Sequence, residues 1–495
     1  MKLLDRHGRV LTPTRPRRVR EYESAKSSRL TNDWVRSNLT ADAEIYRSIV
    51  RLVDRSREME RNNDWMRGVY RSLENNVIGH AGIALQMKIS DQDETPDTFA
   101  NKAIEDGWKD WGLEENCTLS ADFTWLGLQQ LMLRSVARDG NVFIRKVRGN
   151  SARNSYKYAL QLWEFDWLDI DYNSQLANGN TVTMGVEKDA NRRRVAYWFR
   201  SSHPGAFFEN QSLRRSERMR FPASDMIHLF IAERPGQTLG VPWYTSCMKN
   251  LHMLGGYQEA ELVASRVAAS KMGFFTREYP EDYTPGEEDE QGNRTMDAEP
   301  GTMEELPPGM KFETWDPQHP AGSYGPFVKQ SLRGVAAGTG VAYHSLAHDL
   351  EGVNYSSARV GMLEEREMWK MLQTWFISKT CKPIFREWLE MALLTNALRL
   401  PATKFDKFHK PTWKGRRWDW VDPAKDIAAK EKALALGLTS KRAVIGENGR
   451  DIEEVFDEIA LDDKLEAKKG VKLTPAGTPK PTISPARKED EEDEE

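Results

Sequence analysis

The sequence has few cysteines and no long apolar run. Its three cysteines, Cys117, Cys247 and Cys381, lie far apart, which argues against a disulfide framework and against a CxxC metal pattern. We interpret them as reduced and mostly buried thiols. No stretch approaches the roughly 20 apolar residues of a membrane span, and no apolar run follows the charged N-terminus as in a signal peptide. These absences predict a soluble protein, intracellular when it is made.

Motifs of common enzymes are also missing. The chain has no GxxxxGK[ST] phosphate loop, no HExxH and no GxSxG elbow, so we expect no catalytic residues, no cofactor and no metal. Two weaker patterns remain. His344 and His348 are four residues apart with Asp349 next to them, which suits either a metal pair or, as we prefer, a loop that exposes two polar rings. Glu164 and Asp166 would share one face of a strand, an arrangement that is common in a charged chain.

The chain lacks the positive charge typical of proteins that coat DNA. Its net charge is −4, so any contact with DNA must be local or weak. The 495 residues are 39% hydrophobic and include 16 tryptophans, which is enough for two or more packed regions. Most of the chain is therefore expected to be ordered.

The first half of the chain reads as a basic arm followed by mixed α and β structure. Nine of the first 30 residues are Lys or Arg, against three acids, with little apolar periodicity. Such an arm is either a solvated tail or a contact for nucleic acid or an acidic partner. The patterns that follow predict two helices and four strands: Ala41–Asn62, Trp125–Arg138, Asn141–Val147, Leu160–Asp171, Arg194–Arg200 and Met226–Ile231.

The second half is predicted to be mainly helical, with one acidic interruption. Residues 277–305 contain eleven acidic residues and two basic ones and are rich in proline and glycine. Beyond Asp422-Pro423, a helix start signal, the C-terminal region ends in seven consecutive acids, and we expect disorder from Lys464. The helical segments are Thr245–Met272, Phe327–Tyr343, Asn354–Leu400 with a kink or break at Pro383, a helix that Gly437 ends, and Asp451–Ala460.

An ordered set of segments resembles the portal proteins of lambda-like tailed phages, over roughly residues 35–400. The Arg234–Trp243 run that leads into the Tyr257–Ala269 helix is the most specific of them. The others are Asn63-Asp64-Trp65, Asn76–Gly79, the Arg138-Asp139-Gly140 turn, Leu332–Tyr343 and Asn354–Arg359.

The resemblance implies an α+β portal fold in which twelve copies form a cyclic ring around an axial channel. It divides the chain into consecutive regions. We expect a flexible arm (1–34), a mixed α/β wing (35–244), a first stem helix (245–272), an acidic clip (273–323), a second stem helix (324–342), a tunnel loop (343–353), a long kinked helix (354–400), a helical crown (401–463) and a disordered acidic tail (464–495).

The same resemblance implies a function and candidate residues. The ring would sit at one capsid vertex of the virion, after assembly in the host cytoplasm, as the passage for double-stranded DNA in packaging and ejection. Its partners would be the terminase large subunit, a head-completion adaptor and major capsid or scaffold proteins, with no membrane. The alternative functions are another phage structural or neck protein and a DNA-processing packaging enzyme.

The resemblance also implies candidate residues. The channel candidates are His344, His348, Asp349, Glu351, Arg266, Lys271, Lys329 and Arg333. Four of them lie on the expected stem helices, and the alternative role for these four is to form ion pairs between subunits: Arg266, Lys271, Lys329 and Arg333. The clip candidates are Glu287, Glu288, Asp289 and Glu290.

Overall fold

The structure is a computed structural model of the chain. It describes residues 29, 32–33, 37–91, 95–206, 217–269, 273–277, 310–314, 324–352, 354–418, 423–447 and 452–469. Almost all of the predicted N-terminal arm, most of the clip and the tail beyond 469 therefore lie outside the described residues. None of the helices described is long and apolar enough to cross a membrane.

Helices and strands alternate irregularly up to residue 229, and helices dominate after it. The helices are α1 Ala41–Tyr46, α2 Ile49–Asn62, α3 Asp64–Val77, α4 Thr98–Trp111, α5 Glu114–Cys117, α6 Trp125–Asp139, α7 Thr245–Ala269, α8 Tyr324–Thr339, α9 Tyr343–Ala347, α10 Tyr355–Phe376, α11 Lys382–Leu394, α12 Phe405–Phe408, α13 Pro423–Ala435, α14 Lys441–Glu447 and α15 Ile452–Lys469. The strands are β1 Ala84–Met87, β2 Val142–Arg148, β3 Tyr158–Trp163, β4 Ser174–Gln175, β5 Thr181–Thr183, β6 Val186–Lys188, β7 Arg194–Arg200, β8 Arg218–Pro222, β9 Met226–Leu229, β10 Gly273–Arg277, β11 Met310–Thr314 and β12 Pro411–Lys414.

Two antiparallel sheets form the mixed part of the fold. One has the order β3-β2-β9, and the other is a meander of β4 to β8. Their inner faces meet in an aromatic core where Phe143 of β2 and Trp163 of β3 contact Phe199 of β7, with ring centroids 5.2 and 4.8 Å apart. Alternation along each strand places these rings on one face, so the sheets are held together by apolar burial.

A larger core joins the wing helices to α11, which comes from much later in the chain. Trp108 of α4 stacks on Trp111 at 4.7 Å and meets Trp388 of α11 edge to face at 5.0 Å. Phe385 of α11 lies 5.5 Å from Trp108, and all four side chains are buried. Pairs of this geometry add stability beyond the area that they bury, so α11 is an integral part of the wing.

The Arg138-Asp139-Gly140 turn ends α6 and is surrounded by ion pairs. The buried carboxylate of Asp139 accepts two hydrogen bonds from Arg57, at 3.0 Å each, and two from Arg138, at 2.7 and 2.8 Å. Gly140 follows in the left-handed conformation, with φ +76°. A buried carboxylate is tolerated only when it is paired and hydrogen-bonded, and here two guanidinium groups meet that condition.

The residues after this turn hold the segment that leads into α7. The Asn141 side chain donates to the carbonyl oxygen of Gly240 at 2.9 Å and accepts from the Gly240 N–H at 2.7 Å. One turn away, the Trp243 N–H donates to the Ala137 carbonyl oxygen at 3.0 Å. Two segments of the resemblance, the Arg138-Asp139-Gly140 turn and the Arg234–Trp243 run, are thus in direct contact.

The long helix passes Pro383 without a break. It runs from Tyr355 to Leu394 as α10, a π-helical turn at Ile377–Cys381 and α11. In the π turn the Lys382 N–H donates to the Ile377 carbonyl oxygen, five residues back. This register change removes the steric conflict that proline causes in a regular α-helix. Of the predicted kink or break at Pro383, the break is wrong, because the helix is continuous there; the kink stays a prediction. The predicted end at Leu400 is also wrong, since the helix ends at Leu394.

The structure differs from several other expected boundaries. The predicted Ala41–Asn62 helix is two helices, which separate at Arg47-Ser48. The Leu160–Asp171 strand ends at Trp163 and is followed by a 3₁₀ turn, Phe165–Trp167. In the predicted clip, β10 and β11 pair antiparallel, with Gly273 opposite Thr314.

The C-terminal boundaries also shift. Residues 401–418 pack on the wing, because β12 pairs with β1 and Phe408 is buried in the larger core. The Trp418 indole N–H donates to the Asn76 side-chain oxygen at 3.0 Å. Helix α15 continues to Lys469, past Lys464, where disorder was expected to begin. Charged residues dominate its last turn, and they weaken the apolar signal without preventing a helix.

Replacement of Gly140 by alanine should destabilise the protein strongly. A Cβ at Gly140 would lie 2.4 Å from the Val241 carbonyl carbon, and the left-handed φ adds strain of about 1 to 2 kcal/mol. Gly149 is the matched control, because it has φ +75° but no atom within 4 Å of the added Cβ. We expect G140A to lower the urea midpoint of tryptophan fluorescence at least twice as far as G149A. Equal shifts would show that the contact with Val241 is unimportant.

The candidate channel segment and its helices

Helices α7 and α8 pack antiparallel. Near the start of α7 the Cys247 thiol meets the end of α8, where a Cβ on Gly338 would come within 2.4 Å of its sulfur. Farther along, the Tyr257 ring stacks on Tyr324 at 5.8 Å and contacts Phe327 edge-on at 5.1 Å. Glycine at residue 338 therefore permits the close approach of the two helices.

Residues 343–351, which we call the channel segment, follow α8 and begin with α9. Leu346 on α9 is buried, and α9 packs against α8 and α3. His348 ends the helix in the left-handed conformation, with φ +50°. The expected tunnel loop is thus a helical turn followed by a short bend, and its first half is anchored to the rest of the chain.

A cluster of opposite charges ties the channel segment to α8. Asp349 accepts a hydrogen bond from the Tyr343 hydroxyl at 2.8 Å and lies 3.1 Å from the Lys329 ammonium nitrogen. That nitrogen is also 3.8 Å from a Glu351 carboxylate oxygen. The Arg333 guanidinium lies over the Tyr343 ring, 5.6 Å from its centroid. The predicted channel residues Lys329, Arg333, Asp349 and Glu351 therefore converge, and their formal charges cancel.

The contacts of Asp349 lower its pKa. The backbone N–H of Glu351, which donates to Asp349 at 2.9 Å, is the largest cause, and the Tyr343 hydroxyl and the Lys329 ammonium group add to it. Together they lower the pKa of Asp349 from its ordinary value of 3.8 to about 2. Hydrogen bonds to a carboxylate favour its charged form, so Asp349 is ionised at neutral pH.

The two predicted histidines have different environments. His348 is exposed, whereas His344 is half-buried with its ring 3.0 Å from the position of a Cβ on Gly361 of α10. Beside His344, the Ser345 hydroxyl donates to Glu365 at 3.0 Å, and burial raises the pKa of that glutamate. The expectation of two exposed rings is correct for His348 only.

Of the remaining candidate residues, the structure describes only Arg266. Arg266 is exposed on α7. Lys271 and all four clip candidates, Glu287 to Glu290, lie outside the described residues. Sequence reasoning missed Tyr343, which contacts Lys329, Arg333 and Asp349. No local pattern marks this tyrosine, because its cationic neighbours lie 14 and 10 residues before it.

A second cluster of polar groups lies on the wing. Glu164, Asp166 and His203 offer ligand atoms that all lie within 4.8 Å of one another. However, the Gly205 N–H donates to Nδ1 of His203 at 3.1 Å, which leaves the proton of a neutral ring on Nε2, the nitrogen that faces the carboxylates. Metal-binding histidines usually have the opposite arrangement. With Arg57 2.6 Å from Asp166, the cluster fits an ion-paired turn.

Comparison with known proteins covers nearly the whole chain. The profile of the family described as "Phage portal protein, lambda family" matches residues 27–373. The "Probable portal protein" of Halomonas phage phiHAP-1 is 35% identical over 453 residues, which cover 90% of this chain and 87% of that protein. "Portal protein B" of Escherichia phage lambda is 19% identical over 461 residues, with 86% and 85% covered. The chain belongs to the lambda family of phage portal proteins. The fold class and the portal function expected from the resemblance are thereby confirmed.

Solved structures give a weaker likeness. A chain in the neck of an empty GTA particle computed with C6 symmetry has a TM-score of 0.42 and 13% identity, over 81% of this chain and 93% of that one. A chain in the neck of a native GTA particle computed with C12 symmetry has a TM-score of 0.41 and 12% identity, over 80% and 93%.

Replacement of Asp349 by asparagine should loosen the channel segment. The substitution keeps the size of the side chain but removes the charge that attracts Lys329, so the amides of residues 343–351 should exchange hydrogen faster. Glu367→Gln is the control, because this exposed glutamate also has a lysine partner, Lys370 at 2.6 Å, on α10. Unchanged exchange in D349N would show that the charge cluster does not hold the segment.

The lowered pKa of Asp349 predicts that the effect of D349N on hydrogen exchange depends on pH. A carboxyl group with a lowered pKa stabilises the folded state above its unfolded pKa, and the stabilisation is lost as the pH falls through the folded pKa. The difference in exchange between the unmodified chain and D349N should therefore be complete at neutral pH. It should decline between pH 3.8 and about 2, where Asp349 becomes protonated. A difference that disappears already at neutral pH would contradict this assignment.

Proposed function

We propose that copies of this portal protein, twelve in number, close into a ring at one capsid vertex and conduct double-stranded DNA during packaging and ejection. The observation that carries the proposal is the charge balance of the channel segment. Its two cationic neighbours on α8, Lys329 and Arg333, are accompanied by Asp349 and Glu351 within the same cluster. The segment would line the channel.

Balanced charge suits a surface along which DNA must slide. Basic surfaces bind DNA through the release of condensed counterions, and each fixed phosphate contact adds affinity. A cation already paired with a carboxylate releases fewer counterions, because its charge is partly compensated before DNA arrives.

The remaining partners follow from the proposed place in the virion. The acidic clip, with Glu287, Glu288, Asp289 and Glu290, would dock the terminase large subunit and later a head-completion adaptor. Charges at the rim of an interface mainly set association rate and partner choice. Major capsid or scaffold proteins would contact the outer part of the ring. The protein would assemble in the host cytoplasm and have no enzymatic activity of its own.

Negative-stain images of the purified protein test the ring directly. Closed rings with a central hole should form without nucleotide or metal, because contacts between identical copies close a cyclic interface. A protein that stays monomeric at micromolar concentration would contradict the proposal, and so would ATP hydrolysis above background.

Replacement of His348 by lysine tests the channel. The variant should form normal rings but package DNA more slowly, since each copy would add a fixed positive charge beside passing phosphates. The slowing should diminish as salt is raised. His80→Lys is the control, because His80 is an exposed histidine outside the channel segment. The measurement is the rate and length of DNA packaged in vitro. Normal packaging by H348K would mean that residues 343–351 do not face DNA.

A further inference from the structure

His228 of β9 lies inside a stack of aromatic rings. The Phe143 and Phe230 rings are nearly parallel to its imidazole, with centroids 4.4 and 4.5 Å away. Two rings this close and this parallel fit only on opposite faces of the imidazole, so they enclose it. The Arg194 guanidinium also lies over the Phe230 ring, 4.6 Å from its centroid. A titratable ring is thus held between apolar faces with a permanent cation nearby.

The hydrogen bonds of Asn141 fix the position of the proton on this imidazole. Oδ1 of Asn141 accepts from the Gly240 N–H at 2.7 Å and Nδ2 donates to the Gly240 carbonyl oxygen at 2.9 Å, so the orientation of the amide is settled. Oδ1 also lies 3.0 Å from Nε2 of His228. Because Oδ1 accepts and cannot donate, Nε2 carries the proton of the neutral imidazole. The other nitrogen, Nδ1, is buried and has no hydrogen-bond partner among the described residues.

A second proton on His228 is unfavourable in this place. It would create a buried N–H donor at Nδ1 without an acceptor and add a charge to an apolar site. The ionisable groups that face the imidazole are Arg194 and Tyr197 of β7 and, two residues along β2 from the position opposite His228, Arg145. None of them is negative at neutral pH, since burial raises the pKa of Tyr197 to about 12. The phenyl faces attract cations, but burial and the charge of Arg194 prevail and lower the pKa of His228 well below its ordinary value of 6.5.

We propose that His228 is an acid-sensitive latch at the joint where residues 240–243 lead from the wing into α7. The neutral imidazole donates to Asn141 and holds that side chain on Gly240. In acid the protonated imidazole leaves the stack, Asn141 loses one of its donors, and the start of α7 becomes free to move. All of these contacts lie within one copy of the chain, so the latch does not depend on the assembly of copies proposed above.

Amide hydrogen exchange of the peptide that contains Gly240 measures the opening of this joint. A base whose pKa is lowered by folding stabilises the folded state above its unfolded pKa, about 6.5 for histidine, and the stabilisation is lost as the pH falls below that value. One proton is taken up on opening, which changes the opening equilibrium up to about tenfold per pH unit. After correction for the intrinsic effect of pH on exchange, protection should therefore fall about tenfold between pH 7.5 and pH 5.5.

Replacement of His228 by glutamine separates the titration from the hydrogen bond. The amide nitrogen of glutamine can still donate to Asn141 but takes up no proton, so protection in H228Q should stay constant over the same pH range. His252→Gln is the matched control, because His252 is an exposed histidine on α7, and it should keep the tenfold fall. A fall in H228Q equal to that of the unmodified chain, or no fall in the unmodified chain, would overturn the proposal.

A second measurement needs no variant and so does not depend on the folding of H228Q. Deuterium replaces the hydrogen on the imidazole carbon between the two nitrogens through the protonated form of the ring, and the pH midpoint of that exchange gives the pKa of each histidine by mass spectrometry. The midpoint for His228 in the unmodified chain should lie well below 6.5. A midpoint at or above 6.5 would show that the stack accepts the charged imidazole, and the latch would be excluded.

Discussion

The close approach of two backbone segments underlies the rest of this structure. A Cβ on Gly140 would lie 2.4 Å from the Val241 carbonyl carbon, and one on Gly240 would lie 2.2 Å from the Gly140 carbonyl oxygen, so neither glycine has room for a side chain. The Asn141 side chain bonds to both backbone polar groups of Gly240. Because residues 240–243 lead directly into α7, this contact sets where α7 leaves the wing. The pairing of α7 with α8, and through α8 the position of the channel segment, depends on it.

In the wing and in the channel segment alike, an aspartate is surrounded by cationic and hydrogen-bond-donating groups. Asp139 is buried between Arg57 and Arg138, and Asp349 is held by Lys329, Tyr343 and a backbone N–H. In the wing the paired charges stabilise a turn. Beside the channel segment they leave a cluster whose formal charges cancel. A net charge of −4 for the whole chain is consistent with such local compensation.

The protein buries its aromatic side chains in the wing but exposes leucines on its C-terminal helices. The aromatic cores of the wing are closed, with Trp111, Trp388 and Phe199 buried. The C-terminal helices instead leave leucines exposed on a turn and on a helix face. Apolar area that a folded chain leaves in water is covered only if another molecule packs on it.

The sequence by itself determined the main helices through local periodicity. Its ordered segments, such as Arg138-Asp139-Gly140, resemble a known family, and that resemblance implied the fold class. It also identified Lys329, Arg333, Asp349 and Glu351 as candidates. Only the tertiary structure decided that their charges converge, that His344 turns towards α10 and that Pro383 is accommodated by a π turn. It also decided that residues 401–418 return to the wing as a strand beside β1. Except for the π turn, each of these depends on residues distant in sequence that come within a few ångströms of one another, and local patterns contain no information about that proximity.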